Sequence, residues 1–170
     1  MMAKKGFTLA EMVAVITILM LLAVLSTPFV KGYIDDAYNG KAQIYMRELN
    51  EARINFERDY PGTTVSGEIG YGVDFSSTTC NIENIYGQTN LQVGVNTLIA
   101  CKYLRQPTDV TTRYKFGVGP SASASCNVCT TSVASMKGEV NAGNYQGKCA
   151  CMDSIGQVCK LNESGTQICE

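Results

Sequence analysis

The 170-residue chain contains no histidine. That absence excludes every Cys/His zinc arrangement, the Cys-His and Ser-His nucleophile pairs, and the side chain that most often serves as general base. Charge is sparse as well: 17% of the residues are charged and the formal net charge is −1, which argues against nucleic acid as a partner. With 16 glycines and 4 prolines, the composition fits neither a disordered chain nor a collagen-like one. No cysteine precedes Cys80, no internal repeat is visible, and no loop resembles an EF-hand. The length predicts a single globular head.

The N-terminal end lacks the marks of an ordinary export signal. Met1-Met2-Ala3-Lys4-Lys5-Gly6 is a short basic leader, and an apolar stretch from Phe7 to Val30 follows at once. A secretory signal carries its small-residue cleavage site after the apolar region, yet no Ala-x-Ala pattern follows Leu25; here the small residue, Gly6, comes first. No cysteine follows the run directly, so a lipoprotein-type acceptor is also missing. Between Glu11 and Ser26 only Thr17 is polar. The 24 residues from Phe7 to Val30 suffice to cross a bilayer if Glu11 is accommodated. Lys4 and Lys5 place the N-terminus in the cytoplasm by the positive-inside bias.

Pro28 sits inside a helical pattern that continues beyond it. Apolar residues recur at Val30, Ile34, Tyr38, Ala42, Tyr45, Leu49, Ala52, Phe56 and Tyr60, spacings of three and four that trace one helix face. The reading is one long helix, apolar all round at first and amphipathic later, bent near Pro28 with Gly32 and Gly40 as further weak points, and stopped by Pro61-Gly62. From Gly62 the composition turns to Gly, Ser, Thr and Asn with short apolar runs, the signature of strands and loops. Candidate strands are Leu91 to Val95, Arg113 to Val118, Lys148 to Met152, Gln157 to Leu161 and Thr166 to Cys169; Leu98 to Leu104 reads as a strand or a short helix, and Ser121 to Ser125 as a small-residue loop. The expected class is α+β: a long N-terminal helix packed on a small antiparallel sheet.

Gly6-Phe7-Thr8-Leu9-Ala10-Glu11, with two lysines before it and an apolar run after it, resembles the cleavage and methylation motif of type IV prepilins and pseudopilins. The resemblance covers residues 1 to about 60 and implies that a prepilin peptidase cuts between Gly6 and Phe7 and that Phe7 is N-methylated. It also implies that Glu11 is kept for assembly, with Pro28 at the position of the family's helix proline. Residues 1–6 are then a leader, 7–30 the membrane span and filament core, 31–60 an amphipathic helix on the head, and 61–170 the head. The implied partners are other copies in a helical filament, the peptidase and methyltransferase, the inner-membrane assembly machinery, and lipid before assembly. The implied location is the bacterial inner membrane and then an extracellular pilus. An ionised carboxylate beside a span is expensive and usually paired or functional. Before cleavage no cation lies inside the apolar segment to pair with Glu11, whereas cleavage creates an ammonium on Phe7. An inert single-pass anchor would leave the Gly-Phe-Thr-Leu-x-Glu sequence unexplained.

The eight cysteines are Cys80, Cys101, Cys126, Cys129, Cys149, Cys151, Cys159 and Cys169. An even number in an exported head reads as four disulfides, with 105 possible connectivities. Cys126-x-x-Cys129 with Cys149-x-Cys151 could instead be read as four zinc thiolates, but one intervening residue in the second pair is uncommon for a knuckle. Alternate strand residues are too far apart to bridge, so Cys149 and Cys151 should take separate partners. A three-residue hairpin loop at Glu163-Ser164-Gly165 would set Asn162 opposite Thr166 and Cys159 opposite Cys169. No cofactor or metal is expected. The generous loops and many disulfides favour a surface-exposed pilin, a structural subunit of a type IV pilus filament, with a pseudopilin of a type II secretion or DNA-uptake system as the alternative. A membrane-tethered enzyme or metal-binding domain would have to use carboxylates, and Asp74, Asp109 and Asp153 are isolated from one another in sequence.

Overall fold

The computed structural model describes residues 8–70, 79–81, 83, 85–105, 109–119, 126, 129, 133–161 and 167–169. Helix α1 (Leu9–Asp59) is 51 residues long, about 75 Å at its usual rise per residue. It passes through Pro28 unbroken. In the turn before the proline, the hydroxyls of Ser26 and Thr27 both donate to the Ala23 carbonyl, at 3.0 and 2.9 Å. The helix ends at Tyr60, whose N–H donates to Phe56 O at 2.9 Å. Gly62 follows with φ +92°, and a Cβ there would strike the Gln88 carbonyl. This close approach lets Leu91 N–H donate to Gly62 O at 3.0 Å, which starts the pairing of β1 (Thr63–Val65) with β3 (Leu91–Val93).

The two halves of α1 differ as expected. Residues 8–31 are all exposed, and the core stripe begins at Ala42 and runs through Tyr45, Met46, Leu49, Ala52 and Phe56. Val30 and Ile34, which continue the stripe in the sequence, stay exposed; the head meets this part of the helix through hydrogen bonds to Asp35 and Asp36 instead. The stripe packs on a six-stranded antiparallel sheet of β2 (Gly67–Gly70), β4 (Tyr114–Val118), β5 (Ala134–Gly138), β6 (Cys149–Met152), β7 (Val158–Leu161) and β8 (Gln167–Cys169), in that spatial order. Phe116 opposes Ile69 on one side and Met136 on the other, and its ring meets Tyr45 edge-on at 4.9 Å. The hydroxyls of Tyr45 and Tyr114 are buried with no partner among the described residues. Burial pushes both phenols up, Tyr114 to about 12.

The α+β fold is the expected one, with three strands that the sequence pattern did not reveal. β1 and β2 are short and Gly/Thr-rich. β5, Ala-Ser-Met-Lys-Gly, lies near the centre of the sheet yet carries almost no β-favouring side chain. Its small residues suit its place, since α1 covers Ala134 and Met136 on one face while Ser135 is fully buried on the other. The open reading of Leu98 to Leu104 resolves as a short helix, α2 (Asn96–Ala100), followed by turns.

One side chain joins the helix end to the first strand. Glu57 accepts Val65 N–H through Oε1 at 2.9 Å and Arg53 Nη1 through Oε2 at 2.9 Å, while Arg53 also donates to Asn50 Oδ1. Glu57→Ala is expected to cost about 1–3 kcal/mol, because it strands the Val65 N–H. Urea unfolding of the full chain in detergent would report this as a lower midpoint, and an unchanged midpoint would rule the contact out as a stabilising one.

Candidate processing and assembly site

Gly6 and Phe7 lie outside the described residues. The described chain opens at Thr8, the N-cap of α1. A helix start leaves its first N–H groups without carbonyl partners, and Thr8 and Glu11 satisfy two of them reciprocally. Glu11 N–H donates to Thr8 Oγ1 at 3.3 Å, and Thr8 N–H donates to Glu11 Oε2 at 2.8 Å. The Thr8 hydroxyl also donates to Oε2, at 2.9 Å. This is a capping box, and its Thr-x-x-Glu signature is legible in the sequence. The sequence reading sought only a cation for Glu11 and so overlooked Thr8. The carboxylate has local donors that need no cation.

Beyond the cap, α1 presents apolar side chains on all sides; Leu9 is 84% and Phe29 80% exposed. It is long and apolar enough to cross a membrane, and the apolar window has none of its residues buried against the rest of the chain. The polar residues within this segment are turned inward electrically: Thr17 donates to Ala14 O at 2.8 Å, as Ser26 and Thr27 do to Ala23 O. Satisfying hydroxyls within the helix lowers their cost in lipid. Glu11 is the one ionisable group between Thr8 and Val30.

In the head, three disulfides join Cys80 to Cys101, Cys126 to Cys149 and Cys129 to Cys151. The last two form a ladder whose spacing explains itself. Cys129 N–H donates to Cys126 O at 2.9 Å, closing a turn that sets the two residues less than about 7 Å apart. Alternate residues of β6, Cys149 and Cys151, are about 6.6 Å apart on one face. The rails match, with Cα–Cα distances of 6.0 and 5.5 Å across the rungs. Cys159 is also disulfide-bonded. The register places it between Cys151 and Cys169, directly opposite each; the Cys169 side chain lies outside the described residues. Cys149, Cys151 and Cys159 therefore share the sheet face turned away from α1.

The two described aspartates of the sequence reading, Asp109 and Asp153, do not share a site. Asp109 pairs with Lys41 at 3.2 Å, and that hydrogen bond holds its carboxyl below the usual range. Asp153 Oδ1 accepts the N–H groups of Ile155 and Gln157 in the β6–β7 turn. Asp74 lies outside the described residues. Among the described residues no three His, Cys, Asp or Glu side chains cluster as metal ligands.

Residues 1–27 match the family model described as the prokaryotic N-terminal methylation motif. No curated protein and no solved structure matches the chain. The motif points to a structural protein that is processed by a prepilin peptidase and anchored in a membrane before assembly. With that motif leading into a long, exposed apolar helix, the chain carries the N-terminal signal of a type IV pilin-like or pseudopilin-like protein.

Proposed function

We propose that this protein is a structural subunit of a type IV pilus filament. In this reading residues 1–6 are removed, Phe7 becomes the N-methylated terminus, residues 7–30 hold the subunit in the membrane and then in the filament core, and the head faces outward. The observation that carries it is the unequal burial of α1. The half that packs on the sheet closes a complete core, while the half behind the methylation motif buries nothing within its own chain. Apolar surface of that extent needs another covering, which lipid supplies first and the helices of other copies later. The disulfides favour an exposed pilus over a pseudopilin, since a head under proteolysis and load gains from cross-links that limit its unfolding.

Intact-mass measurement of protein sheared from the cell surface tests the reading. The expected species starts at Phe7, carries one added methyl group and has all eight cysteines oxidised. Gly6→Val should leave an uncleaved, membrane-retained precursor, because a branched side chain would occupy the scissile position. A surface protein starting at Met1, or after residue 25, would overturn the assignment.

A further inference from the structure

We propose that residues 139–147 form a releasable strap that fixes α1 to the head, with Gly40 as the hinge about which the head turns when the strap opens. Three contacts hold the strap and its neighbours to the helix below the apolar core. Asn144 N–H donates to Asp35 Oδ2 at 3.2 Å, the Tyr145 hydroxyl donates to Asp36 Oδ1 at 2.8 Å, and the Arg113 guanidinium stacks 3.8 Å from the Tyr38 ring centre. Arg113 also donates to Asn141 O at 3.2 Å, which ties the strap to β4. The short 3-10 turn Gly143–Tyr145 allows this close approach: Gly143 has φ +58°, and a Cβ there would land on the Asp35 carboxylate.

The contacts differ in kind from those higher on the helix. Among residues 31–41 only Asn39 is buried, whereas from Ala42 onward the inner face of α1 is buried and, apart from Asn50, apolar. Hydrogen bonds at an exposed surface exchange readily with water. Opening the strap uncovers only Ala142 and the packed side of the Tyr145 ring at the edge of the apolar core, and leaves the stripe from Ala42 to Phe56 against the sheet. Gly40 stands at the boundary between the two zones with no neighbour within 4 Å of a Cβ position, and glycine is the weakest ordinary residue of a helix interior. Resting on the filament reading for its use, the device would let the head tilt on a helix held first by lipid and then by other copies.

Amide hydrogen exchange of the unassembled full chain in detergent micelles tests the strap itself, so its outcome is separate from whether filaments form. The Asn144 amide should exchange through local openings that are only weakly sensitive to denaturant, while the Phe116 amide in the sheet should exchange only with global unfolding. Gly143→Ala should speed Asn144 exchange at least about tenfold while Phe116 still exchanges only through the denaturant-sensitive global opening; the Asp35 carboxylate can swing aside, so the variant loses the contact rather than the core. Tyr145→Phe, which deletes only the hydroxyl, should produce a smaller increase and serves if Gly143→Ala does not fold. The proposal is overturned if Asn144 and Phe116 show the same denaturant dependence, or if the folded variants leave Asn144 exchange unchanged.

Discussion

Glu11→Ala is expected to be inserted and cleaved like the natural chain yet to enter filaments at least about a hundredfold less well. Neither partitioning into lipid nor the scissile bond requires the carboxylate, and removing it relieves a desolvation cost. The defect arises where the Phe7 ammonium of one subunit would meet Glu11 of another in an apolar core. Breaking such a pair costs about 3–5 kcal/mol, more than two decades in an association constant. The capping box makes a sharper comparison possible. Glu11→Gln keeps a side chain that can accept the Thr8 N–H, but it removes the charge. Thr8→Ala removes the cap and keeps the charge, at about 0.5–2 kcal/mol of helix-end stability. If the carboxylate acts through the ammonium, Gln should assemble as poorly as Ala, and Thr8→Ala should be the mildest of the three. Immunoblots of membrane and sheared-surface fractions, in cells that also make the natural subunit, measure this. Equal incorporation of all variants would remove the role of Glu11, and a Gln variant that assembles normally would reassign it to helix capping.

Removing both rungs of the cystine ladder, Cys126–Cys149 and Cys129–Cys151, is expected to destabilise the head by about 5–6 kcal/mol in the chain-entropy account, about 3.5 for one closed loop of 20-odd residues and about 2 for the short loop the second rung then closes. Removing either rung alone should cost much less. The two bridges share nearly the same loop, so once one is closed the second constrains only the few residues between the rails. Variants Cys126→Ser/Cys149→Ser and Cys129→Ser/Cys151→Ser, with the quadruple variant, would show this by denaturant unfolding of the oxidised chain. Two single-rung losses of about 3 kcal/mol each, summing to the quadruple loss, would contradict shared-loop entropy and point instead to packing. Packing does contribute at this site, because Cys126, Cys129 and Cys151 are buried together over the far face of the sheet.

How legible the molecule was depends on whether the relevant forces are local. The Thr8-x-x-Glu11 cap was readable because it joins residues three apart, although the same glutamate invited a longer-range reading. The start of the core stripe was not readable. Val30 and Ile34 carry the same periodicity as Ala42 and Tyr45, and only the reach of the sheet and the strap separates exposed members from buried ones. Asp35 and Asp36, which do not belong to the apolar stripe, prove to be the acceptors that dock the strap from 109 residues away.

By itself the sequence determined the features that arise from composition, periodicity and local chemistry. It specified a basic segment before an apolar run, one helix of two characters that survives Pro28, a turn to strands after Gly62, and cysteines confined to the head. Each depends on residues a few positions apart, where helix propensity, apolar spacing and turn chemistry act directly. The tertiary structure alone decided the rest. β5 is a strand because β4 and β6 hydrogen-bond to both of its edges, not because Ala-Ser-Met-Lys-Gly prefers to be one. Of the pairings open to eight cysteines, Cys126 with Cys149 and Cys129 with Cys151 result from a turn lying over a strand whose rail spacing it matches. The strap's hold on α1 likewise depends on a sheet that returns Asn144 and Tyr145 to the middle of the helix. Contacts across such separations depend on where the whole chain closes, which no local window of sequence contains.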